Sequence, residues 1–203
     1  SQPAVNKFAR EGAAKVNVGP VDAAVNGGAD GLTVVKASDG HKLRDNLLET
    51  QLASLLDKGE GSRTIAVKTT VTKPEVTTKE VAEKYPTYLT LDRSTYTLRL
   101  WKNLELDREY TVAVGQVGLE TPAGEYSIQD KQVDPVWTVP NSAWAGDMAG
   151  QVVPGGIPEN PLKARWMGIF NGAGIHGTDD TGSLGSAASH GCVRMAIPDV
   201  IDL

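Results

Sequence analysis

The sequence predicts an α+β protein, with a small mixed α/β N-terminal domain over residues 1–80 and a β-rich domain over residues 84–203. Three observations carry this. Glycine (22) and proline (11) are frequent in 203 residues, which favours turns and short strands and argues against a helix bundle. Hydrophobic residues make up 40% of the chain, enough for a core and too many for a disordered protein. The apolar spacing then changes from helical before residue 60 to alternating after residue 88.

In order, residues 1–20 are mixed and turn at Gly19-Pro20. Asn26-Gly27-Gly28 and Asp39-Gly40 punctuate short strands around Leu32, Val34 and Val35. Leu48, Leu52, Leu55 and Leu56 share one face of a helix, with Asp45 as its N-cap and Gly59 as its stop. Thr64–Val71 alternates as a half-buried strand. Residues 72–86, bounded by Pro74 and Pro86, read as an ordered linker with extended ends. Antiparallel strands follow on Leu89 and Leu91, on Tyr96, Leu98 and Leu100, and on Tyr110, Val112 and Val114. Thr121-Pro122-Ala123-Gly124 is a turn, Asp134–Asn160 a long loop, and Trp166–Ile169 a short strand.

Charge and cysteine usage narrow the chemistry. The net charge is −5, nearly all of it beyond residue 80, and no basic run is present, so nucleic acid is excluded as a partner. No apolar stretch is long enough to cross a bilayer. No signal peptide is visible, and a chain that starts at Ser1 without Met reads as an excised piece of something longer. Cys192 is the single cysteine, so it has no intrachain disulfide partner and must be buried or used.

Two of the three histidines lie near that cysteine. His176 is sixteen residues before it, and His190 two before it in Ser189-His190-Gly191-Cys192-Val193-Arg194. A thiol attacks carbonyl carbon when a base favours its thiolate, and His176 is the better base because a residue two positions away seldom presents its ring to the sulfur. Gly191 lets backbone N–H groups converge as an oxyanion hole needs. The rival chemistry is a zinc site made by Cys192, His176 and His190, with Asp179 and Asp180 nearby in sequence. The bland reading is a buried thiol and satisfied histidines.

With these residues in place, residues 84–203 resemble the catalytic domain of the L,D-transpeptidases, the cysteine-dependent peptidoglycan cross-linking family. The likeness rests on His176, on Ser189-His190-Gly191-Cys192-Val193-Arg194, on Thr121-Pro122-Ala123-Gly124-Glu125-Tyr126, and on Asn160-Pro161-Leu162 with Trp166 following. Residues 1–80 resemble, less specifically and mainly through Thr72-Lys73-Pro74, the peptidoglycan-binding domain that often precedes this enzyme in Gram-positive bacteria.

The resemblance implies Cys192 as nucleophile and His176 as base, with the Gly177 carbonyl holding its other nitrogen and His190 lining the site. The N–H groups of Gly191 and Cys192 form the oxyanion hole, and Ser189 acts as a local hydrogen-bond donor. Arg194 orients the cysteine loop, contacts a substrate carboxylate or is a structural pin. Thr121, Pro122, Trp137 and Trp144 are expected at the substrate, the long loop forming a flap with a tryptophan wall; the alternative is that both tryptophans anchor the loop.

The implied partners are peptidoglycan stem peptides, with carbapenem β-lactams as covalent inhibitors, no metal and no cofactor. The implied place is extracellular, in the cell wall or at the outer membrane face, with any anchor before Ser1. Attack by water would make an L,D-carboxypeptidase, and loss of turnover an idle wall-binding module. Family members continue past the arginine for a short helix and a closing strand, so an open sheet edge is expected beyond Leu203.

Overall fold

The computed structural model describes residues 2–28, 31–58 and 64–203. The chain divides into two compact units, residues 1–26 with 34–85, and residues 27–33 with 86–203. Elements run in chain order as α1 (Gln2–Val16), β1 (Ala24–Gly28), β2 (Gly31–Val35), β3 (Gly40–Leu43), α2 (Asp45–Lys58), β4 (Thr69–Thr72) and α3 (Thr78–Lys84). Then come β5 (Thr87–Asp92), β6 (Thr97–Lys102), β7 (Glu105–Thr111), β8 (Val114–Gly115), β9 (Asp130–Val133), β10 (Trp137–Thr138) and β11 (Val152–Val153). The last are β12 (Arg165–Phe170), β13 (Ala173–Thr178), β14 (Ala187–Ser189), β15 (Val193–Ala196) and α4 (Ile197–Asp202). The architecture is α+β, a small mixed region followed by a β-rich domain.

The first unit packs α1 and α2 over the β3–β4 ladder. Ala9 and Ala13 of α1 meet Leu43 and Leu48 in a small core, with Val16, Leu52 and Ile65 against it. Residues 1–20 are therefore not mixed but mostly one helix, whose buried face is Val5, Ala9 and Ala13. In α2, Asp45 lies in the first turn and Arg44 takes the cap position, its carbonyl accepting the Leu48 N–H at 3.1 Å. Gly59, the expected stop, lies outside the described residues. The strand expected over 64–71 narrows to β4; Ile65 packs into the core from irregular chain, and Val67 is exposed. The linker expected over 72–86 contains α3, started by a capping box in which Thr77 and Glu80 exchange hydrogen bonds and fastened by buried Val81.

In the second unit β5, β6 and β7 form one antiparallel sheet, and β15-β13-β12-β9 a second. The second sheet is mixed, because β13 and β15 run parallel while β12 pairs antiparallel on both sides. Alternation sends Leu98 and Leu100 from one sheet, and Met167, Ile175, Val193 and Met195 from the other, into one core with Tyr110, Val112 and Val200. The opposite face of the second sheet is left for polar chemistry. Two hairpins keep the strands in register through turns whose central residues have positive φ, Asn103-Leu104 after β6 and Asn171-Gly172 after β12. The outer side of β15 is met at Arg194 by Ala113, the two exchanging N–H···O bonds of 2.9 Å.

Candidate active site

Strand periodicity places His176. Ile175 and Val193 are register partners facing the core, so the next pair, His176 and Arg194, faces the other way; Cys192 lies in the bend that enters β15 just before Val193. Trp166 is the partner of His176 on β12, and its indole stacks beside the imidazole at 6.2 Å between centroids. Gly174 makes room for it: a Cβ there would stand 2.5 Å from the indole.

His176 is 5% exposed, and its Nδ1 lies 2.7 Å from the Gly177 carbonyl. A carbonyl only accepts, so Nδ1 carries the proton and, in the neutral ring, Nε2 is the unprotonated nitrogen. Burial pulls the imidazole down to about 4; Arg194's charge adds to this, against the carbonyls of Gly177 and Pro161. Burial likewise pushes the Cys192 thiol above its ordinary value, opposed by the Gly174 amide and Arg194. The sulfur sits 4.0 Å from the Gly172 carbonyl, in the Asn171-Gly172 turn. Burial thus favours the neutral form of each group.

The loop that presents Cys192 leaves β14, which β8 holds in parallel pairing. Ser189 is buried at its base; Oγ donates to the Cys192 carbonyl at 2.5 Å and accepts the Gly191 N–H at 3.1 Å. Gly191 takes φ +112°, a conformation that residues with a Cβ avoid. The expectation that the Gly191 N–H points into an oxyanion hole thus needs correction, because Ser189 already holds it; of the two expected donors the Cys192 amide remains.

His190 stacks flat on Trp144, centroids 4.3 Å apart and planes within 1°. Trp144 rides on two 3-10 turns broken at Gly146, within the loop whose base is the β10–β11 ribbon. Trp137 stands in that ribbon opposite Val153, and of the two expected tryptophans it is Trp144 whose ring stacks on His190 of the cysteine loop. Thr121 is also corrected: its side chain is buried and accepts the Gly115 N–H at 2.9 Å, while Arg93 takes its carbonyl at 2.6 Å. It holds the turn whose Leu119 and Glu120 carbonyls lie by Gly191; Pro122 beside it is half-buried. The zinc arrangement is not assembled, since no group of three His, Cys, Asp or Glu converges among the described residues and Asp179 pairs with Lys163 at 2.6 Å. Trp166 and Asn171-Gly172 were not singled out for the site, although an Asn-Gly pair between apolar runs is a strong hairpin signal.

Residues 86–203 match the family of the L,D-transpeptidase catalytic domain (YkuD). YqjB of Bacillus subtilis, assigned to the L,D-transpeptidases, is 33% identical over 122 residues, which is 57% of this chain and 63% of that protein. YbiS of Escherichia coli K12, assigned likewise, is 33% identical over 96 residues, 44% of this chain and 31% of that protein. The chain thus spans less than two thirds of the length of these curated relatives. Among solved structures, a cysteine-to-serine mutant of the Enterococcus faecium L,D-transpeptidase aligns over 100% of this chain and 76% of its own, at 18% identity and a TM-score of 0.48, a likeness too low to argue from. The family match covers more than half of the residues and takes in every candidate discussed above, and the chain belongs to the L,D-transpeptidase catalytic domain family.

Proposed function

We propose that this chain carries the catalytic domain of a peptidoglycan L,D-transpeptidase that forms 3→3 cross-links through a cysteine acyl-enzyme. One observation carries the reading: a buried neutral imidazole, its Nδ1 tied to the Gly177 carbonyl, lies on β13 beside β15, the strand that the chain enters directly after its lone thiol. His176 Nε2 takes the thiol proton as sulfur attacks the carbonyl between the third and fourth residues of a stem tetrapeptide. The oxyanion collapses, the C–N bond breaks, and the imidazolium gives its proton to the departing D-alanine amine. A side-chain amine of a second stem then attacks the thioester, losing a proton to His176, and the thiolate leaves. The positive charge of Arg194 favours the thiolate, and the Trp144–His190 stack walls the donor side.

The Cys192 N–H, offered to a developing oxyanion, would serve a strained lactam carbonyl equally, so carbapenems are proposed as covalent inhibitors. Residues 1–80 are proposed to hold the wall, and the protein to act outside the cytoplasmic membrane; no helix among the described residues is long and apolar enough to cross one.

The test is intact mass after mixing with a carbapenem and with a stem tetrapeptide plus an acceptor amine. One adduct per chain, lost in Cys192→Ala, and a cross-linked dimer are expected. Release of tripeptide alone would replace transfer by hydrolysis, and no adduct at all would sink the acyl-enzyme. Cosedimentation of Cys192→Ala with insoluble peptidoglycan tests wall binding.

A further inference from the structure

We propose that Asn160 is a positioning residue for this acyl transfer: it clamps the loop that carries Trp144 to the segment that faces His176. Asn160 is 1% exposed. Its amide nitrogen donates to the carbonyls of Pro135 at 2.8 Å and Pro154 at 2.9 Å, with Val153 at 3.3 Å. Its Oδ1 accepts the Leu162 N–H at 2.9 Å.

These partners have a common logic. Pro135 is where the loop departs and Pro154 where it returns, just outside the Trp137–Val153 pair of the β10–β11 ribbon. Neither proline has an N–H, so the backbone ladder stops there and leaves carbonyls to be satisfied. A carboxamide of this length supplies two donors for them and keeps an acceptor for the other side; a carboxylate has no donor and a hydroxyl only one. On that other side, the Pro161 carbonyl faces the His176 ring and the Leu162 carbonyl accepts the Gly177 N–H at 3.2 Å. One buried side chain thereby joins both feet of the loop, and through it the Trp144–His190 stack, to the backbone beside the base.

The inference rests on the acyl-transfer reading, and its test separates the two. In the full chain, Asn160→Ala is compared with wild type, each with and without Trp144→Phe, so that the emission of Trp144 is obtained by difference. Acylation by stem tetrapeptide is measured beside alkylation of Cys192 by iodoacetamide, a reagent too small to need the loop. The expected result is a red-shifted Trp144 emission and a fall of roughly 10- to 100-fold in acylation, with alkylation changed by less than about twofold.

A merely structural role would lower the melting temperature and leave Trp144 emission and the ratio of the two rates as in wild type, which overturns the proposal. Should Asn160→Ala not fold, Asn160→Ser, with one donor and an acceptor, is read against the same outcomes. If wild type itself is not acylated, the transpeptidase reading fails while the emission comparison still decides the clamp.

Discussion

His176 and Cys192 are both held in their uncharged forms by burial, and this has a measurable pH signature. Between the ordinary imidazole value near 6.5 and about 4, the unfolded chain binds a proton that the folded chain refuses. Stability therefore falls as pH drops through that window, by about 3 kcal/mol for the full shift. Urea titrations at several pH values should show this loss, and His176→Asn should flatten it. On the thiol side, Cys192 alkylation by iodoacetamide should keep rising past pH 9 with no plateau near pH 6, because the resting sulfur is a thiol and not an ion-paired thiolate. At this scale the cysteine loop was legible because its residues are contiguous. Ser189's hold on Gly191 was not, since it depends on which way one N–H turns after the loop has folded.

Glycines set the limits on the elements that build the site. Gly191→Ala would force a Cβ into φ +112° and is expected to cost about 1–3 kcal/mol by thermal melt. It should also slow carbapenem acylation, because relief of that strain moves Cys192. Gly174→Ala would place a methyl 2.7 Å from the Met167 carbonyl as well as against the Trp166 indole, so the β12–β13 hairpin must shift, with a similar loss. Elements with bulky periodicity, such as β5, β6 and α2, could be read in advance. The first helix could not, because its buried face is largely alanine while Phe8 points outward at 59% exposure. The short helix α3 left a usable mark, Thr77 three residues before Glu80, which its sparse apolar content overshadowed.

Across the whole molecule, the large core of the second unit supports the site from behind, and truncating Leu98, 2% exposed, to alanine should destabilise by about 2–5 kcal/mol in urea. That unit is also discontinuous in sequence. Gly31, from residues 27–33, lies against the Trp101 indole, whose Nε1 donates to Thr90 Oγ1 at 3.0 Å. A fragment starting at Pro86 should therefore melt lower than the full chain, with red-shifted Trp101 emission. No local pattern foretold this, because the partners lie seventy positions apart. The burial of Cys192 has one more consequence, for oxidation. Peroxide attacks thiolate, so a sulfur whose neutral form burial favours should be oxidised to sulfenic and sulfinic acid more slowly than an ion-paired thiolate. In a chain with a single cysteine, and so with no second thiol for a protective disulfide, partial burial is thus the means of slowing loss of that sulfur to peroxide.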